Sequence, residues 1–174
     1  MIGLLPFILA AILVYYGYML AIIYNFGWLP SISESHYRLV EINPIYSALF
    51  TLFLWIEAFL LIMPLITIGD PDYLGFLTAT AVAFCGSAPF FKSYLLEKRV
   101  HVGGAISAVV FGLIWSVLNT PLIPLIIIIA ILDGICVFIG WKTKTMWSCK
   151  TFWFEQLGFG TILFSMLYNC LHLA

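Results

Sequence analysis

Long stretches of this chain, residues 1–33, 73–91 and 100–132 among them, contain no Asp, Glu, Lys or Arg. About 20 apolar residues cross a ~30 Å hydrocarbon core as a helix, and each stretch is near that length or beyond it. Composition agrees with this pattern. Hydrophobic residues make up 64% of the chain and charged residues 9%, against about 45–50% and 25% in soluble domains. So little charge cannot cover a water-facing surface, which excludes a soluble globular fold. An aromatic content of 17% excludes disorder, because disordered chains are polar and poor in aromatics. A net charge of −1 with seven Lys and Arg argues against nucleic acid as a partner.

The expected fold class is all-α, a polytopic membrane helix bundle forming one transmembrane domain over residues 1–174. Six spans are expected, near 3–24, 47–69, 73–91, 101–119, 121–140 and 152–173. Residues 100–132 would be about 50 Å long as one helix, so Asn119-Thr120-Pro121 in their middle reads as a turn between two spans. The N-terminal run lacks a basic leader and a small-residue cleavage site, and is read as a retained span rather than a signal peptide.

The connections alternate between two faces. One face holds Arg38, Lys92, Lys98, Arg99, Lys142, Lys144 and Lys150, and the other holds no Lys or Arg. The positive-inside rule places the basic face in the cytoplasm and both termini outside. Trp28, Trp141, Trp147 and Trp153 form an interfacial belt on the basic face. That face also collects the polar chemistry of the first connection, Ser31, Ser33, Glu34, Ser35, His36 and Tyr37, with His101 opening the fourth span and Glu155 and Gln156 opening the sixth.

Cys85, Cys136, Cys149 and Cys170 show no CxxC spacing, so a structural zinc site of the usual kind is not expected. His36, His101 and His172 form no HxxH, HxxxH or HExxH pair. The alternative metal set is His36, His101 and Glu155 converging on the basic face, and the expectation is that no metal or other cofactor is held.

Glu57 and Asp133 lie inside expected spans at a similar depth from the basic face, and Tyr16 falls at that level too. A charge at the bilayer centre is costly, and an acid there marks either a functional site or interhelical hydrogen bonding. Neither acid has a polar neighbour on its own helical face, so each must find one across the bundle. Small residues recur every four positions at Gly75, Ala79, Ala83 and Ser87, and again at Gly104, Ala108 and Gly112. Such stripes let helices approach closely.

Short signatures follow one another along the chain: Leu29-Pro30-Ser31-Ile32-Ser33 after the first span, Asn43-Pro44, His101-Val102-Gly103-Gly104-Ala105 opening the fourth span, and Trp153-Phe154-Glu155 opening the sixth. In this order they resemble the six-span family of damage-regulated autophagy modulators and GPI-anchor lipid-remodelling proteins. The resemblance implies a lipid-related membrane role and marks Ser31, Ser33, His101 and Glu155. This chain departs from the family pattern in having Phe154 between Trp153 and its acid. It departs also in topology, since the family's first long loop is drawn outside or in the lumen.

The leading functional expectation is a small integral membrane protein that binds, senses or remodels lipids. Its headgroup-facing pocket would be built from Ser31, Ser33, Glu34, His36, Arg38, Lys92 and Arg99. One alternative is a lipid hydrolase or acyl transferase, with His101 as base and Glu155 orienting it. Another is a proton-coupled transporter or channel component using Glu57 and Asp133. The expected partners are membrane lipids, with a homo-oligomer or a larger membrane complex as the assembly, and a scaffold role stays open beside these.

Overall fold

In a computed structural model of the protein, residues 2–121, 127, 131 and 150–172 are described. Among them the chain is helical, with no strand. α1 (Leu5–Phe26) carries Pro6 in its first turn, where a missing N–H costs little. It stops at Gly27, whose φ of 71° is left-handed and whose N–H bonds back to the Ile23 carbonyl at 2.8 Å. The inward face of α1 is Ile8, Ala11, Tyr15, Met19 and Ile22, spaced three and four apart.

The first connection is itself partly helical. Ser31 starts α2 (Glu34–Ile42) by sharing the Glu34 N–H between its Oγ and its carbonyl at 3.2 Å each. Asn43 Oδ1 then accepts the Ile45 N–H at 2.9 Å, an Asx turn that leads through Pro44–Ser47 into α3 (Ala48–Ile68). α4 (Asp72–Ser87), α5 (Leu95–Asn119) and α6 (Lys150–His172) follow.

Packing closes a ring: α1 lies on α3, α3 on α4, α4 on α5, α5 on α6, and α6 on α1. Phe50, Leu61, Leu65, Trp115, Ile162 and Met166 fill its interior. The small-residue stripes serve more than one seam: buried Gly75 packs α4 on Leu65 of α3, Gly104 packs α5 on α4, and Gly112 lies between Ile162 of α6 and Thr78 of α4. A Cβ on Gly104 would come within 2.9 Å of the Ala81 carbonyl oxygen and the Cys85 nitrogen. Only a glycine lets α5 approach α4 so closely, and that approach seats His101 one turn away.

Among the described residues three helices are long and apolar enough to cross a membrane: Leu5–Phe26, Pro44–Ile68 and Leu95–Asn119. That is fewer than the six spans expected. α4 has 16 residues, about 24 Å at 1.5 Å per residue, short of a ~30 Å core. It ends at Ser87, ahead of Pro89, rather than running to residue 91. α6 has the length, but it carries Lys150, Glu155 and Gln156 and a buried polar row of Thr161, Ser165 and Asn169. The fifth expected span, with Asp133, lies outside the described residues apart from positions 121, 127 and 131. Trp141, Trp147, Cys136 and Cys149 lie outside them too.

One boundary differs for a local reason. Nothing breaks the helix between Leu95 and His101, so Lys98 and Arg99 belong to the first turns of α5 rather than to a loop. Glu97 sits in that first turn, where the helix dipole favours an acid, and its Oε2 accepts the Phe90 N–H at 2.8 Å.

Candidate functional site

The ends of α1, α4, α5 and α6 meet beneath the first connection. His101, at the start of α5, is 3% exposed and lies stacked on Phe91, with ring centroids 4.3 Å apart. Its Nδ1 is 2.9 Å from the Cys85 carbonyl oxygen. A carbonyl only accepts, so Nδ1 carries the hydrogen. In the neutral ring Nε2 is then the acceptor, and Ser33 Oγ lies 2.7 Å from it. The serine hydroxyl therefore donates to an imidazole whose tautomer is set by a backbone carbonyl on its far side. This is the arrangement of a nucleophile, its base and a group that orients the base.

Ser33 is held in place by the Leu29–Ser33 stretch, which is latched to the beginning of α6. The Phe152 N–H donates to the Pro30 carbonyl at 3.0 Å, and the Ile32 N–H donates to Glu155 Oε2 at 2.6 Å. On the other flank Ser35 Oγ and Tyr18 Oη share a hydrogen bond of 2.7 Å. Trp28 stacks on Trp153 at 5.3 Å between ring centroids.

Below the Ser33 hydroxyl is a cavity of about 60 Å³. Ser33, Glu155 and Tyr15 line it together with apolar side chains such as Phe50, Phe53 and Phe159. The Tyr15 ring stacks on Phe159 with centroids 4.5 Å apart, and its buried hydroxyl has no hydrogen-bond partner. The cavity thus presents a serine, a carboxyl and a free phenol within an otherwise oily wall.

The structure distributes the expected site residues as follows. Ser33 and His101 are in direct contact, and Glu155 joins them through the Ile32 N–H. The expected pairing of Glu155 with His101 is replaced, because the Cys85 carbonyl takes the Nδ1 position. Ser31 is engaged in starting α2. The supposed headgroup residues do not share one pocket. Glu34 pairs with Lys92 at 2.6 Å, and Arg38 pairs with Glu41 at 3.0 Å. Arg99 is exposed on the other side of α5. His36 is buried in a cage of rings, with Tyr37, Phe50 and Phe90 centroids at 5.1, 6.0 and 4.9 Å. Neither of its ring nitrogens has a hydrogen-bond partner of good geometry, and burial pushes the imidazole below its ordinary range. No group of three His, Cys, Asp or Glu among the described residues has the spacing to hold a metal ion.

Glu57 is 0% exposed, and both its carboxyl oxygens lack a partner. Tyr16, expected at the same depth inside the bundle, is 44% exposed, while its neighbour Tyr15 is buried and lines the cavity with Glu155. Adjacent helical residues point about 100° apart, so one position decides which tyrosine is inside. The three-and-four rhythm of Ile8, Ala11, Tyr15, Met19 and Ile22 carries that choice. The Cys85 carbonyl and the Ile32 N–H are backbone groups and leave no trace in the residue types.

Comparison with known protein families, with characterised proteins and with solved structures finds no match to this chain.

Proposed function

We propose that the chain is a membrane-embedded acyl-transfer enzyme acting on lipid esters, with Ser33 as nucleophile and His101 as its base. The reading is carried by one observation: His101 bonds at once to Ser33 Oγ and to the Cys85 carbonyl, at 2.7 and 2.9 Å. Ser33 Oγ attacks the ester carbonyl carbon and passes its proton to His101 Nε2. The Cys85 carbonyl stabilises the imidazolium so formed. Collapse of the tetrahedral intermediate expels the alcohol, which takes the proton back from Nε2 and leaves an acyl group on Ser33. Water or a second alcohol then attacks the acyl carbonyl by the same proton route, releasing acid or a new ester. The developing oxyanion is assigned to the Tyr15 hydroxyl, because it is unpartnered and lines the same cavity as Ser33. Glu155 is a positioning residue that fixes Ser33 through the Ile32 N–H.

The substrate class follows from the wall of the cavity, which is apolar, and from the membrane setting. The resemblance to lipid-remodelling proteins points the same way, since Ser33, His101 and Glu155 are three of its marked positions. In this reading α4, α6 and the 121–140 stretch complete a six-span bundle. The seven basic residues hold the Ser33 end at the cytoplasmic surface, with both termini outside.

The test is covalent labelling of the full chain in mild detergent with a lipophilic fluorophosphonate. Wild type is expected to be labelled at Ser33, with loss of label in Ser33→Ala and a fall of about 10³-fold or more in labelling rate in His101→Asn. Both variants are checked for retained cooperative unfolding, since Ser33→Ala loses one hydrogen bond and His101→Asn two, each worth about 0.5–1.5 kcal/mol. A wild-type chain that resists the probe, or a label that persists in Ser33→Ala, overturns the assignment.

A further inference from the structure

The outer flank of the α4–α5 seam holds a groove of about 390 Å³, separate from the cavity under Ser33. Leu77 and Phe84 of α4 and Phe111 of α5 form its walls, Gly103 and Gly104 its floor, and Arg99 its mouth. From Arg99 to Phe111 the groove follows α5 for about 18 Å, a little more than half of a ~30 Å core and so close to the depth of one leaflet. Leu77 and Phe84 are exposed, as are the side chains of Lys98 and Arg99.

Among the described residues, charge separates this groove from Arg38 and Lys92. Arg38 and Lys92 are neutralised by Glu41 and Glu34. Among the described residues Lys98 and Arg99 are in no ion pair, and Arg99 lines the groove. A cationic mouth on an apolar channel one leaflet deep matches a molecule with an anionic head and an acyl tail.

We propose that this groove binds an anionic phospholipid, with its phosphate at Arg99 and one acyl chain lying over Gly103 toward Phe111. The proposal is independent of the acyl-transfer reading, because none of these residues touches Ser33 or lines its cavity. Guanidinium suits a phosphate because its fork of N–H donors meets two oxygens at once, and each basic side chain near a membrane surface adds attraction to anionic lipid. Gly103 has a structural opening for this role. A Cβ built there meets no other atom within 4 Å, so the space above it is free for a ligand and for a blocking side chain alike.

That opening supplies the experiment. The full chain in mild detergent is mixed with equal amounts of phosphatidylglycerol and phosphatidylcholine bearing the same acyl chains, and retained lipid is counted by native mass spectrometry. Wild type is expected to retain phosphatidylglycerol about fivefold over phosphatidylcholine. Arg99→Gln brings the two lipids to parity. Gly103→Leu fills the channel and removes the phosphatidylglycerol adduct while thermal unfolding stays at the wild-type value. Arg38→Gln, which removes an equal charge from an existing ion pair, leaves the preference intact. Equal retention of the two lipids by wild type overturns the proposal, as does a preference that survives both Arg99→Gln and Gly103→Leu or one that Arg38→Gln abolishes as completely as Arg99→Gln.

Discussion

Glu155 and Glu57 are two acids in one helical bundle, the first half-buried and the second fully buried, and their surroundings differ sharply. Glu155 lies at the end where the helices meet the first connection. It accepts a backbone N–H at 2.6 Å, and that bond pins the segment carrying Ser33. Glu57 lies midway along α3, sealed from solvent, with neither oxygen partnered. The contrast follows from what each helix faces. α6 begins beside an irregular stretch whose backbone groups need partners, whereas α3 at Glu57 faces regular helices whose backbone groups are already bonded to one another. Glu155 therefore acts as a latch at the end of the bundle, and Glu57 stands as an orphan in its middle. The opposite end repeats the latch pattern: Asn119 Oδ1 accepts the Asp70 N–H at 2.8 Å, and Asn169 Nδ2 donates to Thr120 Oγ1 at 3.3 Å.

The sharpest way to break this comparison is to make both acids apolar. Glu155→Leu orphans the Ile32 N–H and is expected to destabilise the fold by about 1–3 kcal/mol. Glu57→Leu removes a buried group that has no partner and is expected to stabilise by about 1–3 kcal/mol. Thermal unfolding in one detergent reads both, and the two shifts must carry opposite signs. If Glu57→Leu destabilises as much as Glu155→Leu, the middle of the bundle holds a latch too.

A second effect is expected from Tyr15→Phe, on the residue that lines the Ser33 cavity with Glu155. If the phenol serves the Ser33 cavity, acyl transfer falls about 10²-fold and the unfolding temperature holds. A loss of stability without a loss of rate would tie the hydroxyl to Glu57 instead.

The weakest effect separates the latched end from its aromatic cage. Burial holds the His36 imidazole below its ordinary 6.5, so the folded chain keeps the ring neutral. Below pH 6.5 the unfolded chain takes up a proton that the folded chain refuses. Stability from this residue is complete above pH 6.5 and is lost as the pH falls toward the folded value. His36→Phe is expected to flatten the drop in unfolding temperature between pH 7 and 5. A drop that is unchanged in the variant would assign the acid sensitivity to another group.

Much of the helical plan was legible because it depends on residue type. Apolar runs set the ends of α1 and of α3 to within a few residues. Ser33, His101 and Glu155 could be picked out because polar side chains are rare in such a chain. Their actual pairing was hidden, since His101 is oriented by a backbone carbonyl and Glu155 is engaged by a backbone N–H, and every residue has both groups. The inward turn of Tyr15 rather than Tyr16 was written in a three-and-four rhythm, but depth along the helix pointed equally to either. The short reach of α4 depends on where the chain leaves the helix ahead of Pro89, a boundary that an uncharged stretch does not mark.

The latch between Ile32 and Glu155 joins residues 123 positions apart, and this separation has a consequence for biogenesis. A ribosome adding about 5–20 residues per second would extend the chain for roughly 6–25 s after Ile32 before it reached Glu155. Throughout that interval Ser33 would already have emerged, yet the segment bearing it would lack its tether. The segment bearing Ser33 is thus made well before the tether that fixes it, which arrives only with α6.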